Sequence, residues 1–88
     1  MSITPAILSQ LPLPEITSAV FYKRDQITVD LVCCDVEVGG QVWTFHEEAE
    51  GWDALLRHIE KLPGFRSDWQ NGVVLPPFAS SETVAFQR

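Results

Sequence analysis

The sequence predicts a two-layer α+β fold. An antiparallel three-stranded meander and a C-terminal strand pack on one main helix, in the order β-β-β-α-β. Three observations lead there. Residues 16–46 hold three runs rich in β-branched and aromatic side chains, with Gly39-Gly40 between the second and third. Residues 51–62 carry a single apolar stripe of Trp52, Leu55, Leu56, Ile59 and Leu62 at the helical spacing i, i+3, i+4, i+7, i+10. Residues 83–87 alternate again as a strand does. With 88 residues there is room for one core and no second domain. Apolar residues at 45% and charged residues at 20% are those of a globular chain, not a disordered one.

Taken in order, an arm at 1–14 precedes a single domain at 15–88. The arm is apolar but interrupted by Pro5, Pro12 and Pro14, so Ala6 to Leu11 can wind for only a turn or two before the backbone is forced extended. Ile16 to Tyr22 reads as the first strand, with Ile16, Ser18, Val20 and Tyr22 on one face and Thr17, Ala19 and Phe21 on the other. Lys23 to Gln26 reads as a polar turn. In the second strand, Ile27 to Val38, the apolar side switches near the cysteines. Ile27, Val29, Leu31 and Cys33 give way to Cys34, Val36 and Val38, which predicts a bulge or a strong twist there. Gly39-Gly40 suits a tight primed turn, and Gln41 to His46 is the third strand.

The acids Glu47, Glu48, Glu50 and Asp53 sit at or before the start of the helix, and Arg57, His58 and Lys61 lie towards its end, as the helix dipole favours. Pro63-Gly64 stops it. Residues 65–80 show no consistent period, although Asp68 to Asn71 could close one helical turn and Pro76-Pro77 stiffens a loop. The last strand is expected to return parallel to the first or third, because the helix reverses the chain. Its faces read as Val84 and Phe86 against Thr83, Ala85 and Gln87. The expected core is Ile16 or Phe21, Val29, Leu31, Val36, Trp43, Phe45, Trp52, Leu55, Leu56, Ile59, Leu62 and Phe86.

Charge and cysteine content exclude several functions. Twelve acids against six scattered bases give a net charge of −6, so nucleic acid and anionic membranes are not expected partners. Cys33 and Cys34 are the two cysteines and are adjacent in sequence, which excludes a disulfide-stapled secreted domain and makes a reducing cytoplasm the expected setting. No apolar run approaches the ~20 residues of a membrane span.

From Ile16 to Arg88 the chain carries Tyr22-Lys23-Arg24-Asp25, Thr28 to Cys33, His46-Glu47-Glu48, Gly51-Trp52-Asp53, Leu62-Pro63-Gly64-Phe65, Trp69, Pro76-Pro77-Phe78-Ala79 and Thr83-Val84. This skeleton resembles a group of small bacterial proteins of uncharacterised activity. The resemblance implies a bacterial cytoplasmic protein, suggests a pleckstrin-homology-like half-barrel closed by a helix, and supplies no catalytic residue.

Chemistry-bearing constellations are few. His46, Glu47 and His58, with Glu48 and Asp53 nearby, are nitrogen and carboxylate groups suited to a metal ion, but their spacing matches no metal motif. A solvated acidic helix start is the simpler reading, and no cofactor is expected. Cys33 and Cys34 have apolar and acidic neighbours, which suit buried thiols better than reactive ones. Ser80-Ser81 lack a nucleophile-elbow motif. The remaining signal is apolar. Ile7, Leu8, Leu11 and Leu13 of the arm need cover, and Trp69 and Phe78 lie in the irregular segment, so these six are the candidate interface. The sequence therefore predicts a non-enzymatic protein-interaction or self-association domain whose partner is itself, as a homodimer through the arm, or another protein. The alternative is a small metal-dependent or hydrolytic enzyme using His46, Glu47 and His58.

Overall fold

A computed structural model of the chain describes residues 2–25, 30–70 and 82–88. It is an α+β fold with one four-stranded sheet of order β3-β2-β1-β4. The strands are β1 Ile16–Asp25, β2 Asp30–Val38, β3 Gln41–His46 and β4 Glu82–Gln87. The short helix α1, Pro5–Leu8, lies in the arm, and the main helix is α2, Trp52–Ile59. No helix among the described residues is long and apolar enough to cross a membrane.

Every strand pair is antiparallel, and β4 runs antiparallel to β1. This corrects the expected parallel return. The reversal by α2 does not fix the strand direction, because the long segment between Ile59 and Glu82 can deliver the chain to either end of the sheet.

Two irregularities, one in β1 and one in β4, reset the faces read from sequence. The register with β2 shifts between Ile16 and Ser18, which brings Ile16 into the core alongside Ala19 and Phe21. Thr17, at the bulge, turns its hydroxyl to Glu37 Oε1 at 2.7 Å. The register with β4 shifts between Ala19 and Val20, so Ala85 and Phe86 are both buried while Val84 stays exposed. The bulge expected near the cysteines does not occur, and β2 pairs regularly with β1 from Glu37 to Asp30. Its apolar side switches because residues on both of its faces are buried. Cys34 and Val36 join the main core, and Leu31 and Cys33 are buried outside it. Nor do Lys23, Arg24 and Asp25 form a turn: they extend β1, with Lys23 buried beyond Phe21.

Phe21 is the hub of the core. Its ring stacks on Trp69 at 3.7 Å between centroids and meets Trp52 and Phe65 edge-on at 6.2 and 6.4 Å. Leu55 and Ile59 bury the stripe of α2 against it, with Trp52 and Leu56 half-buried at the flanks. α2 ends three residues before the expected boundary. Leu62 precedes Pro63, which disfavours helical backbone, and the last bonds tighten to i−3, Lys61 to His58 and Leu62 to Ile59. Leu62 remains buried in that turn. The expected core residue Val29 lies outside the described residues.

The arm crosses its own domain. Thr4 caps α1 through Oγ1, which accepts from Ile7 N, and Pro5 takes the first helical position. Ile3 and Leu11 are buried in the main core. His58 Nε2 lies 2.7 Å from the Leu11 carbonyl, to which it donates, and the Arg88 guanidinium donates to the Ile16 and Leu13 carbonyls. Ile3 N also donates to Glu50 O at 2.6 Å, which lashes the entry of the arm to the start of α2.

Candidate interaction surface

The sheet has one face covered by α2 and the arm, and one outer face. Alternation along the strands sets the outer side chains in rows: Tyr22, Cys33 and His46, then Val20, Asp35 and Thr44, then Ser18, Glu37 and Val42. Asp35 organises the middle of this face. Its Oδ1 accepts from Tyr22 Oη at 3.0 Å and from Thr44 Oγ1 at 2.8 Å. Beside it, Ser18, Val20, Asp35, Glu37, Val42 and Glu82 line a depression of about 230 Å³. Among the described residues Val42 and Val84 are the exposed large apolar side chains, 58% and 43% accessible.

The two edges of the sheet differ. β4 carries the devices that deter pairing with other chains: the bulge opposite β1, the charge of Glu82, and the Arg66 amide already donating to the Ala85 carbonyl at 2.8 Å. β3, with the sequence Gln-Val-Trp-Thr-Phe-His, has no acid, lysine or arginine, no proline, and no register shift against β2. Trp43 is half-buried there, its ring parallel to Phe45 at 6.3 Å.

The residues singled out from sequence are distributed otherwise. His46, Glu47 and His58 do not converge. His46 ends β3 on the outer face, and Glu47 Oε1 accepts from Val32 N at 3.0 Å. His58 lies in the helical layer, bonded to the arm. Among the described residues no cluster of His, Cys, Asp and Glu could hold a metal ion. Of the candidate interface, Leu11 and Trp69 are buried within their own chain, Ile7, Leu8 and Leu13 are half-buried against the core, and Phe78 lies outside the described residues. The arm's need for cover is met intramolecularly at Leu11. A second shallow cleft of about 280 Å³ lies between α1 and α2, lined by Leu8, Ala54, Arg57, His58 and Lys61.

Cys33 sits directly opposite His46 on β3, and among the described residues His46 Nδ1 is a buried atom without a hydrogen-bond partner. The row is not a nucleophile–base pair, because Cys33 is fully buried and its thiol points to the Leu31 carbonyl at 3.8 Å. Burial pushes the Cys33 thiol up; Arg24 opposes this, while Asp35 and Glu47 add to it. Cys34 is raised further, by burial first and then by Asp35 and Cys33.

A pH dependence follows. An unfolded thiol ionises near pH 8.5. Above that pH the unfolded chain gives up protons that the folded chain keeps. Stability is therefore fully present below about pH 8.5 and falls as pH rises towards the folded-state values. The urea midpoint is expected to hold through neutral pH and to decline above about pH 8.5, with Tyr22, also raised by burial and by Asp35, adding to the decline as pH approaches about 10. Cys34→Ala should flatten that decline. A variant that declines as steeply as the parent would assign the slope to other groups.

Searches of family models, curated proteins and solved structures found no match to this chain.

Proposed function

We propose that this chain is a non-enzymatic protein-interaction domain that works through the uncovered side of its sheet. The observation that carries the reading is the contrast between the edges: β4 is blocked by a bulge, a charge and the Arg66 amide, whereas among the described residues nothing pairs with the free edge of β3, which holds no acid, lysine or arginine and has Val42 exposed beside it. An open edge offers backbone donors and acceptors to another strand, and the side chains alternating about it supply selectivity. The free, buried cysteines suit a reducing cytoplasm, where both stay thiols.

The experiment is site-specific photo-crosslinking in the cell that makes the protein. A photoreactive residue at position 42 is expected to capture a protein, this chain or another. The same residue at the exposed helix position Asp53 serves as the background. Adducts at 42 no more abundant than at 53 would sink the reading.

A further inference from the structure

We infer that β3 docks on β3 of a second copy of this chain, as an antiparallel pair centred on Trp43; this rests on the interaction reading above and names its partner. The starting point is the hydrogen-bond parity of the hairpin. Val38 and Gln41 close the two-residue turn, and Glu47 N, six residues beyond Gln41 and just past the end of β3, donates to Val32 O at 2.9 Å. Bonded and non-bonded pairs alternate in an antiparallel ladder. Gln41, Trp43 and Phe45 therefore spend their backbone groups on β2, and Val42 and Thr44 turn theirs outward. Among the described residues nothing bonds the outward N–H and C=O groups of Val42 and Thr44.

Four such groups, two residues apart, are self-complementary about a two-fold axis. With Trp43 facing Trp43 of the other copy, Val42 of each faces Thr44 of the other. Each of those two pairs exchanges both bonds, so all four groups on each copy are satisfied at once. No like charges are brought opposite one another, since Gln41 to His46 hold no acid, lysine or arginine. Trp43 occupies the closer, non-hydrogen-bonded position, where Cα atoms approach to about 4.5 Å. Its half-buried ring, on the helix side of the sheet, then meets its counterpart across the axis. On the outer side, Val42 gains cover from the other copy's Thr44. The two sheets join into one of eight strands, with the protected β4 edges outermost.

The test uses the full chain. Sedimentation across concentration is expected to show a mass rising from 9.9 kDa towards twice that value. Amide exchange at low and high concentration should show Val42 and Thr44 slowing by about ten-fold or more in the dimer, while the exposed helix position Asp53 does not change. Thr44→Pro removes one outward N–H and no backbone bond to β2, with Thr44→Val as the control for the lost hydroxyl bond to Asp35, and Val42→Lys sets a charge on the edge. Thr44→Pro and Val42→Lys should abolish the dimer with the circular dichroism unchanged, whereas Thr44→Val and, on β4, Val84→Lys should leave it. A chain that is monomeric at every concentration overturns the pairing, and it leaves the interaction reading standing if position 42 still captures another protein. A dimer whose Val42 and Thr44 amides exchange as in the monomer also overturns it. Should Thr44→Pro fail to fold, amide exchange on the unaltered chain decides alone.

Discussion

Phe21→Ala should cost about 3–5 kcal/mol, the range for truncating a fully buried phenylalanine, and leave the chain barely folded at room temperature. Phe21 has no exposed surface and lies on a strand paired on both sides, so the cavity cannot be filled by collapse of an edge. The loss goes beyond one side chain because three rings depend on it: Trp69 stacked at 3.7 Å, and Trp52 and Phe65 edge-on. Each aromatic pair adds roughly 0.5–1.5 kcal/mol to area burial. Set against a total of about 5–10 kcal/mol for a domain of this size, the change consumes most of the stability. Urea unfolding followed by tryptophan emission measures it, and Phe21→Leu, which keeps most of the volume, should recover more than half. A loss below about 1 kcal/mol for the alanine variant would mean that the Trp69 stack does not exist in solution.

Gly51→Ala is expected to cost about 2–3 kcal/mol by two separable routes. Gly51 holds φ at +91° immediately before α2, where an L side chain loses roughly 1–2 kcal/mol. A Cβ at 51 would also run into the Ile3 carbonyl oxygen and push the arm off the bond between Ile3 N and Glu50 O. That bond is worth about another 1 kcal/mol. Gly40→Ala is the internal comparison. Its φ is +83°, but a Cβ there meets nothing within 4 Å, so it should bear the backbone cost alone. The excess at position 51 reports the arm contact, and it should be matched by faster exchange of the Ile3 amide. Equal costs at 40 and 51 would show that the arm does not lie on Gly51.

How much of this was legible in the sequence depended on whether one element or several decided the outcome. α2 was readable because one stripe, Trp52 to Leu62, records one buried face, and the β2–β3 hairpin was readable because Gly39-Gly40 admits few turns. The faces of β1 were not, because a register shift between Ile16 and Ser18 has no local signal when the residues there, Ile16-Thr17-Ser18, all suit a strand. Lys23 to Asp25 looked like a turn on polarity alone, yet pairing with Val32 down to Asp30 holds them extended. The interaction surface was hidden for a different reason. Whether Val42 and Thr44 have unpaired backbone depends on strand order, a tertiary property, while Leu11 and Trp69 attracted attention as apolar residues that the fold had already used.

The placing of β4 also governs how the molecule is made. Its partners on β1 lie between 60 and 69 positions back along the chain, from Tyr22↔Glu82 to Ser18↔Gln87. Contacts so distant in sequence form late, because the entropy of closing the loop must be met before pairing rewards it. On a ribosome adding about 5–20 residues per second, the β1–β3 meander and α2 emerge seconds before Glu82. During that interval β1, later the interior of the sheet, is itself an edge, and the sites for Ala85 and Phe86 stand vacant. Any β4 can fill them, including one from a neighbouring polysome-bound chain. Exchange of this strand between nascent chains is thus the misassembly to which the topology is most open.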